Sequence, residues 1–353
     1  MRIFISNKRK KVIPAALVVT ALVISTLMGV TGCGQEEAAG PMKVAASTVP
    51  LADFCTEVGG DLVEVRTMVP PGASPHTYEP TTEQMKFMSD AKVFVQNGLN
   101  LEAWAADIVK KVDNPDLVDV VAGDNVPKSE LIEVGGGDEC QHGEGEDRGD
   151  HEETDHEQGG LEEEADHEHE EGEESEGHDH GVYDPHVWLD PNLAVYEVEA
   201  IRDGFIKADP ENEDTYKKNT RRYIEELGEL DEYVKGETST FTEKKFVSFH
   251  PAFMYFAHRY GLEQVGVVEE LPGKEPSAGE IAELIDGMKR EGVKVIFTEP
   301  QFNPQAAQAI ADEAGANVVL KSLDPLGNPD DPETCTYIKL IKHDTGVMAE
   351  VMK

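Results

Sequence analysis

The chain has 353 residues, enough for two ordinary domains, and it carries a formal net charge of −40. This acidity argues against nucleic acid as a partner, because phosphate contacts need basic patches. It suits a protein that handles cations, and it is equally compatible with plain solubility.

Residues 1–32 have the pattern of a secretory signal. A basic stretch at residues 8–11 precedes an apolar run at residues 12–28, which is short for a membrane-spanning helix of about 20 residues. The motif Val30-Thr31-Gly32-Cys33 resembles the lipobox of bacterial lipoproteins, in which Cys33 becomes the lipidated first residue. We therefore expect an anchor linker at residues 33–41 and a body outside the cell membrane, held by more than one acyl chain. A plain signal-anchor helix is the alternative.

Residues 42–134 alternate apolar, strand-like runs with helical stretches. Buried strands are predicted at residues 43–47, 63–68, 92–96 and 117–121. Helices are predicted between them at residues 51–58, 82–89 and 101–112. This βαβα order predicts a parallel sheet covered by helices.

Residues 138–182 differ sharply in composition, with 21 acidic residues, one base and seven of the twelve histidines. Such a segment cannot bury enough apolar surface to offset its chain entropy, so it is predicted to be a disordered loop within the first lobe. Its histidines are surrounded by carboxylates, so the segment offers many weak, exchangeable zinc sites. These sites should lose metal below about pH 6, because imidazole must be neutral to bind it. The histidines are His142, His151, His156, His167, His169, His178 and His180. The alternative is a solvated acidic insert that binds zinc only incidentally.

One long helix is predicted at residues 209–236, where Asp209 serves as N-cap and Pro210 takes the first helical position. Its apolar or neutral residues recur with a 4-3-4-3-4 spacing, which forms a narrow stripe typical of a connecting helix that lies across a surface. The stripe consists of Tyr216, Thr220, Tyr223, Leu227, Leu230 and Val234. Gly236 is a candidate for the helix end.

The strand and helix rhythm restarts at residue 245. Strands are predicted at residues 246–249, 264–268, 294–298 and 317–320, and helices at residues 252–260, 278–291, 304–314 and 333–352. The chain is therefore predicted to be an α/β protein with an N-terminal lobe (42–208), a connecting helix (209–238) and a C-terminal lobe (239–353). Outside the lipobox, Cys55, Cys140 and Cys335 permit one disulfide, and their pairing stays open.

Four candidate metal ligands lie close to predicted strand ends, two in each half. His76 stands in a proline-rich loop, His186 between Pro185 and Pro191, His250 directly before Pro251, and Asp324 after the last strand. In open α/β sheets, ligands bind beyond the carboxyl ends of strands. Three imidazoles and one carboxylate match the tetrahedral, borderline-soft preference of Zn²⁺, whereas a site made only of oxygens would favour calcium or magnesium.

These segments resemble the cluster-9 family of solute-binding lipoproteins, the metal-binding subunits of bacterial zinc and manganese ABC importers. The resemblance covers about residues 42–352 apart from the acidic loop. It is carried by Pro75-His76-Thr77-Tyr78-Glu79-Pro80-Thr81, Asp184-Pro185-His186-Val187-Trp188-Leu189-Asp190-Pro191, Phe249-His250-Pro251-Ala252-Phe253 and Thr298-Glu299-Pro300-Gln301-Phe302. It implies two (β/α)4 lobes joined by a long rigid helix, with a metal in the cleft between them.

The resemblance also assigns roles to single residues. His76, His186 and His250 are implied as ligands and Asp324 as the fourth. From its chemistry alone, Glu299 either approaches the metal, or orients a ligand or binds backbone amides in the cleft. Glu79, close to His76 in sequence, is expected to have a structural or ligand-supporting role rather than to bind the metal directly. Manganese-selective relatives tend to have a carboxylate at the third position, so His250 favours zinc. Many relatives have Asp two residues before the first ligand, where this chain has Ser74.

The implied function is a monomeric zinc-binding component of an ABC importer, without catalysis, that delivers Zn²⁺ to a membrane permease and its ATPase. One alternative is a manganese or iron carrier of the same fold. Another is a secreted zinc hydrolase, against which stands the lack of a His-Glu-x-x-His motif in the sequence. Cell adhesion is compatible with a lipid anchor, but no residue favours it.

Overall fold

Two four-stranded parallel sheets organise the described part of the chain, which comprises residues 40–134, 183–270, 273–315 and 318–353 of a computed structural model. The first sheet has the order β2-β1-β3-β4 and the second the order β6-β5-β7-β8. The strands are β1 (Met42–Ala46), β2 (Val63–Thr67), β3 (Val93–Gln96), β4 (Val118–Val121), β5 (Lys245–Ser248), β6 (Glu263–Val267), β7 (Val295–Thr298) and β8 (Val319–Ser322). Every pairing is parallel, which confirms the predicted α/β class.

Nine α-helices of the described residues surround the sheets. They are α1 (Val49–Gly59), α2 (Thr82–Asp90), α3 (Ala105–Lys111), α4 (Pro191–Ala208), α5 (Glu213–Thr238), α6 (Met254–Tyr260), α7 (Ala278–Glu291), α8 (Gln305–Ala314) and α9 (Tyr337–Met352). Local sequence explains several of their starts. Thr81 and Ser277 form capping boxes with Gln84 and Glu280, and the Asp190 side chain accepts the Asn192 N–H at the start of α4.

One large apolar cluster joins the two sheets. Val44 of β1, Phe54 of α1 and Phe205 of α4 belong to it, together with Phe246 of β5 and Tyr337 of α9. Separate clusters cover the outer faces, where α2 and α3 pack on the first sheet and α7 and α8 on the second. The two sheets are therefore held by a shared core in addition to the chain between them.

All eight predicted strands overlap observed ones, but the helices between the sheets differ from prediction. The long helix α5 begins at Glu213, because Pro210–Asn212 forms a separate 3-10 turn after Asp209. It continues through Gly236, so the prediction that this glycine ends the helix was wrong. Its predicted stripe is buried as expected, each member being at most 1% exposed.

The 18-residue helix α4 is absent from the predicted elements, although Asp190-Pro191 is a helix-start signal. Two predicted helices also begin too early. The structure starts α3 at Ala105 and α9 at Tyr337, in each case four residues after the predicted start.

Several predictions concern residues outside the described ranges. The signal and lipobox with Cys33, the acidic loop with its seven histidines, and Cys140 all belong to this group. Cys55 is buried and Cys335 partly buried, and they are not joined to each other. Within the described residues, no helix is both long and apolar enough to cross a membrane. The lobe boundaries remain predictions.

Candidate metal centre

The order of the strands indicates where a ligand site is expected. Each sheet reverses its strand order between two neighbouring strands, β1 and β3 in the first and β5 and β7 in the second. Ligands of open α/β sheets bind beyond the carboxyl ends of strands at such a switch point. Ser248 ends β5 and Thr298 ends β7, so the residues that follow them lie at the switch point of the second sheet.

His250 and Glu299 follow β5 and β7 and contact each other. The His250 Nδ1 lies 2.7 Å from Glu299 Oε1, and the His250 backbone N–H donates to the same oxygen at 3.3 Å. Both side chains are buried, at 5% and 1% exposure. Because a carboxylate only accepts hydrogen bonds, Nδ1 carries the proton and Nε2 presents its lone pair to the cleft.

His186 has the same arrangement with Asp184. Asp184 Oδ1 accepts both the His186 Nδ1, at 2.7 Å, and the His186 backbone N–H, at 2.9 Å. Asn97, which follows β3 at the switch point of the first sheet, donates from Nδ2 to the Pro185 carbonyl at 2.9 Å. The Tyr255 hydroxyl of α6 donates to the Asp184 carbonyl at 2.9 Å. Elements of both lobes therefore fix the segment that carries His186.

His76 lies on the proline-rich loop between β2 and α2. The indole Nε1 of Trp104 donates to the Pro75 carbonyl at 3.1 Å, directly beside the histidine. The Tyr78 hydroxyl donates to Gln84 Oε1 at 2.9 Å, and Gln84 Nε2 in turn donates to the Met68 carbonyl. The loop is thus tied to α2 and to Trp104, the residue just before α3.

The three imidazoles converge through Nε2. His186 Nε2 lies 3.3 Å from His76 Nε2 and 3.3 Å from His250 Nε2. All three ligand atoms lie within 4.8 Å of one another. Zn–N bonds of about 2.0–2.1 Å at a tetrahedral angle place two nitrogens about 3.3–3.4 Å apart. The two observed separations match this value.

Burial favours the neutral form of His186 and His76. It lowers the pKa of His186 well below the usual range, and the neighbouring His250 lowers it further. The pKa of His76 is lowered mainly by burial and then by His186 and His250. Neutral imidazole is the form that binds metal. Burial also raises the pKa of Asp184 to about 7, against the lowering effects of the His186 N–H and of His250.

The ring orientations leave lone pairs facing each other. With Nδ1 protonated in His186 and His250, their Nε2 atoms are both acceptors and cannot hydrogen-bond to each other. A cation between them converts this repulsion into coordination. The carboxylates behind the rings raise their basicity, as in the carboxylate–histidine–zinc arrangement.

The other predicted site residues of the described chain do not contribute to this group of ligand atoms. Asp324 does not belong to it: its Oδ1 accepts from Gln301 Nε2 at 2.9 Å and from the Leu326 N–H at 3.1 Å. Glu79 has an exposed side chain and is not brought to the imidazoles. Glu299 contacts the His250 ring, a geometry compatible with the second of its two predicted roles.

Three residues near the imidazoles were quoted in motifs but not assigned a role. Asp184 is the partner of His186, and the Asp-x-His spacing was the signal available. Phe302 lies 5.1 Å from His250 between ring centroids and stacks on Phe249. Gln301 lines the same cavity as the histidines. Trp188, two residues after His186, is 1% exposed, and its Nε1 donates to the Pro325 carbonyl.

The chain resembles known zinc-uptake proteins in sequence and in structure. Residues 44–351 match the model of a family described as "ZnuA: Zinc-uptake complex component A periplasmic". The chain is 33% identical over 292 residues to the zinc-binding protein AdcA of a Streptococcus pyogenes serotype M3 strain. The aligned residues cover 83% of this chain and 52% of AdcA. The chain thus spans about half the length of the first curated relatives it matches.

Other relatives match over nearly their whole length. The high-affinity zinc uptake system protein ZnuA of Bacillus subtilis is 31% identical over 329 residues, covering 91% of this chain and 93% of the relative. A crystal structure of a ZnuA deletion mutant with zinc bound superimposes with a TM-score of 0.67 at 27% identity, covering 89% of this chain and 98% of the mutant.

Proposed function

Because the chain belongs to the ZnuA family of zinc-uptake components, we propose that it binds one Zn²⁺ outside the cell membrane and delivers it to an importer. The observation that carries the proposal is the convergence of three imidazole Nε2 atoms at zinc-like separations. His76, His186 and His250 hold the ion in this proposal. Asp324 stays the candidate for the fourth ligand.

The remaining parts of the proposal concern place and partners. The lipobox-like motif supports attachment to the membrane through a lipidated Cys33. The family supports an ABC importer, with a membrane permease and its ATPase, as the acceptor of the ion. A monomer suffices, because all three proposed histidine ligands come from one chain.

The donor set favours zinc over manganese. Imidazole suits zinc, whereas manganese prefers carboxylate, carbonyl and water oxygens. Both nearby buried carboxylates, Asp184 and Glu299, face imidazole Nδ1 atoms and are not themselves in the group of ligand atoms. A manganese or iron carrier is therefore the weaker candidate.

The same contacts favour binding over hydrolysis. A catalytic zinc site needs a base that can take a proton from the metal-bound water. Asp184 and Glu299 each use one oxygen to accept two hydrogen bonds from a histidine. This oxygen of each carboxylate orients a proposed ligand ring, which supports a carrier rather than a catalytic site.

Zinc titration of a histidine pair tests the proposal. His250→Ala removes a proposed ligand, whereas His343→Ala removes an exposed imidazole on α9. We expect His250→Ala to weaken the tightest zinc site by more than the roughly 10–100-fold typical of losing a residue that merely supports a ligand. His343→Ala should leave that site unchanged.

The titration uses a chelator of known affinity as competitor and is repeated with Mn²⁺ present. The proposal predicts that Mn²⁺ does not displace Zn²⁺ at comparable concentration. Equal effects of the two substitutions, or preferential binding of Mn²⁺, would contradict it.

A further inference from the structure

The loop after β7 carries two polar side chains with different tasks. Glu299 holds the His250 ring, and Gln301, two residues later, lines the cavity that the three histidines share. Gln301 Nε2 donates to Asp324 Oδ1 at 2.9 Å. One loop thus orients an imidazole toward the cleft and binds the carboxylate that is the candidate fourth ligand.

The hydrogen bonds around Asp324 concentrate on one oxygen. Oδ1 accepts both the Gln301 amide and the Leu326 N–H, the latter at 3.1 Å. The Asp324 backbone N–H donates to Asp344 Oδ1 of α9 at 3.2 Å. In this arrangement the three Nε2 atoms have already converged, yet the Asp324 carboxylate is outside their group.

The Gln301 amide has a free acceptor on its other side. Its Oε1 is buried and has no hydrogen-bond partner among the described residues. A buried, unpaired amide oxygen is unfavourable, and a water molecule bound to an ion at the histidines could satisfy it. Gln301 therefore suits a site in which the fourth ligand is water while Asp324 is held by its amide.

We propose that Gln301 restrains Asp324, so that the ion is held by three imidazoles and an exchangeable water until the Gln301–Asp324 hydrogen bond breaks. The inference rests on the proposed function, because it concerns the release of the same ion. A carboxylate ligand adds a negative charge to the coordination shell, and water does not. Gln301 thus keeps release fast in a protein that must hand its ion on.

The test replaces Gln301 by methionine, which has a similar length and cannot donate this hydrogen bond. We measure zinc dissociation by stopped flow into excess chelator. Gln301→Met should release zinc about tenfold more slowly. This is the effect expected when a hydrogen bond to the charged Asp324 carboxylate no longer competes with its coordination to the ion. In a cobalt-substituted sample, the visible absorption should change as a carboxylate replaces water.

A double variant assigns the effect to Asp324. Combining Asp324→Asn with Gln301→Met should abolish the slowing that Gln301→Met produces alone. The matched control is Gln308→Met on α8, where an exposed glutamine also donates to an aspartate, Asp312, at 2.9 Å. This control should release zinc at the parent rate.

The proposal is overturned if Gln301→Met releases zinc as fast as the parent, because the Gln301–Asp324 hydrogen bond then has no effect on release. It is equally overturned by faster release, which would mean that Gln301 orients Asp324 for coordination. It is also overturned if the slowing persists with Asp324→Asn. These outcomes are distinct from failure of the proposed function, in which the parent protein itself would not bind zinc through His250.

Discussion

At the scale of single residues, the same hydrogen-bonding arrangement supports a histidine in each lobe. In His186 and in His250, the ring Nδ1 and the residue's own backbone N–H meet a single carboxylate oxygen. Fixing the ring and the backbone together leaves the imidazole little freedom to turn, so Nε2 points into the cleft in advance of the proposed zinc binding. Such preorganisation lowers the ordering cost of binding.

Sequence patterns predicted the three histidines but only part of their support. Glu299 was given a supporting role as one of two alternatives, and it holds His250. Asp184 was not assigned a role, although it stands two residues before His186, because an Asp-Pro dipeptide is read more readily as a turn. Glu79 is close to His76 in sequence but is exposed, which shows that proximity in sequence does not determine side-chain direction.

Substituting Asp184 tests whether this carboxylate orients His186 for zinc binding. Asp184→Asn keeps the size of the side chain but removes the negative charge behind the His186 ring. We expect zinc affinity to fall about 10–100-fold, the typical effect of losing a carboxylate that orients a metal-binding histidine. The measurement is a chelator competition titration at neutral pH.

Asp203→Asn is the matched control, because Asp203 is an exposed aspartate that pairs with Arg202 on the surface of α4. It should bind zinc as the parent does. Parent-like affinity in Asp184→Asn would show that the carboxylate has no part in holding the ligand.

At the scale of elements, strand order determines which loops meet. His250 and Glu299 are 49 residues apart in sequence, and β5 and β7 are neighbours in the sheet. Apolar runs predicted all eight strands because each strand is short and contains at least two apolar residues. The start of α5 was misplaced, because Asp209-Pro210 caps a 3-10 turn that precedes the helix.

The long acidic segment enters and leaves the described structure at adjacent points. Glu133 and Tyr183 form an antiparallel bridge, and the Asp184 N–H donates to the Ile132 carbonyl at 2.8 Å. Chain ends this close can be joined by a short linker without displacing either side. The bridge also lies one residue before Asp184, so the segment can be removed without removing a residue of the site.

Replacing residues 138–182 by a short Gly-Ser linker should therefore separate two classes of zinc sites. Loose binding should disappear with the seven histidines of the segment, and the tight site should keep its affinity. Zinc titration of the parent and deleted proteins measures both classes. Loss of tight binding on deletion would refute this division, and unchanged loose binding would assign the weak sites elsewhere.

At the scale of the whole molecule, the two sheets share one apolar core, and the histidine group lies where loops from both halves meet. Trp188, next to the His186 segment, donates to the Pro325 carbonyl, and the Tyr337 hydroxyl of α9 donates to the Trp188 carbonyl at 2.6 Å. These bonds connect the segment of the first half to the second half. Composition and periodicity do not reveal such contacts, because the partners are more than 130 residues apart.

Anomalous diffraction at the zinc absorption edge, from crystals grown with one equivalent of Zn²⁺, locates the bound ion without assumptions about its ligands. We expect one strong peak about 2.0–2.1 Å from Nε2 of His76, His186 and His250. A crystal with its strongest zinc peak elsewhere, and with these three rings turned away from one another, would contradict it.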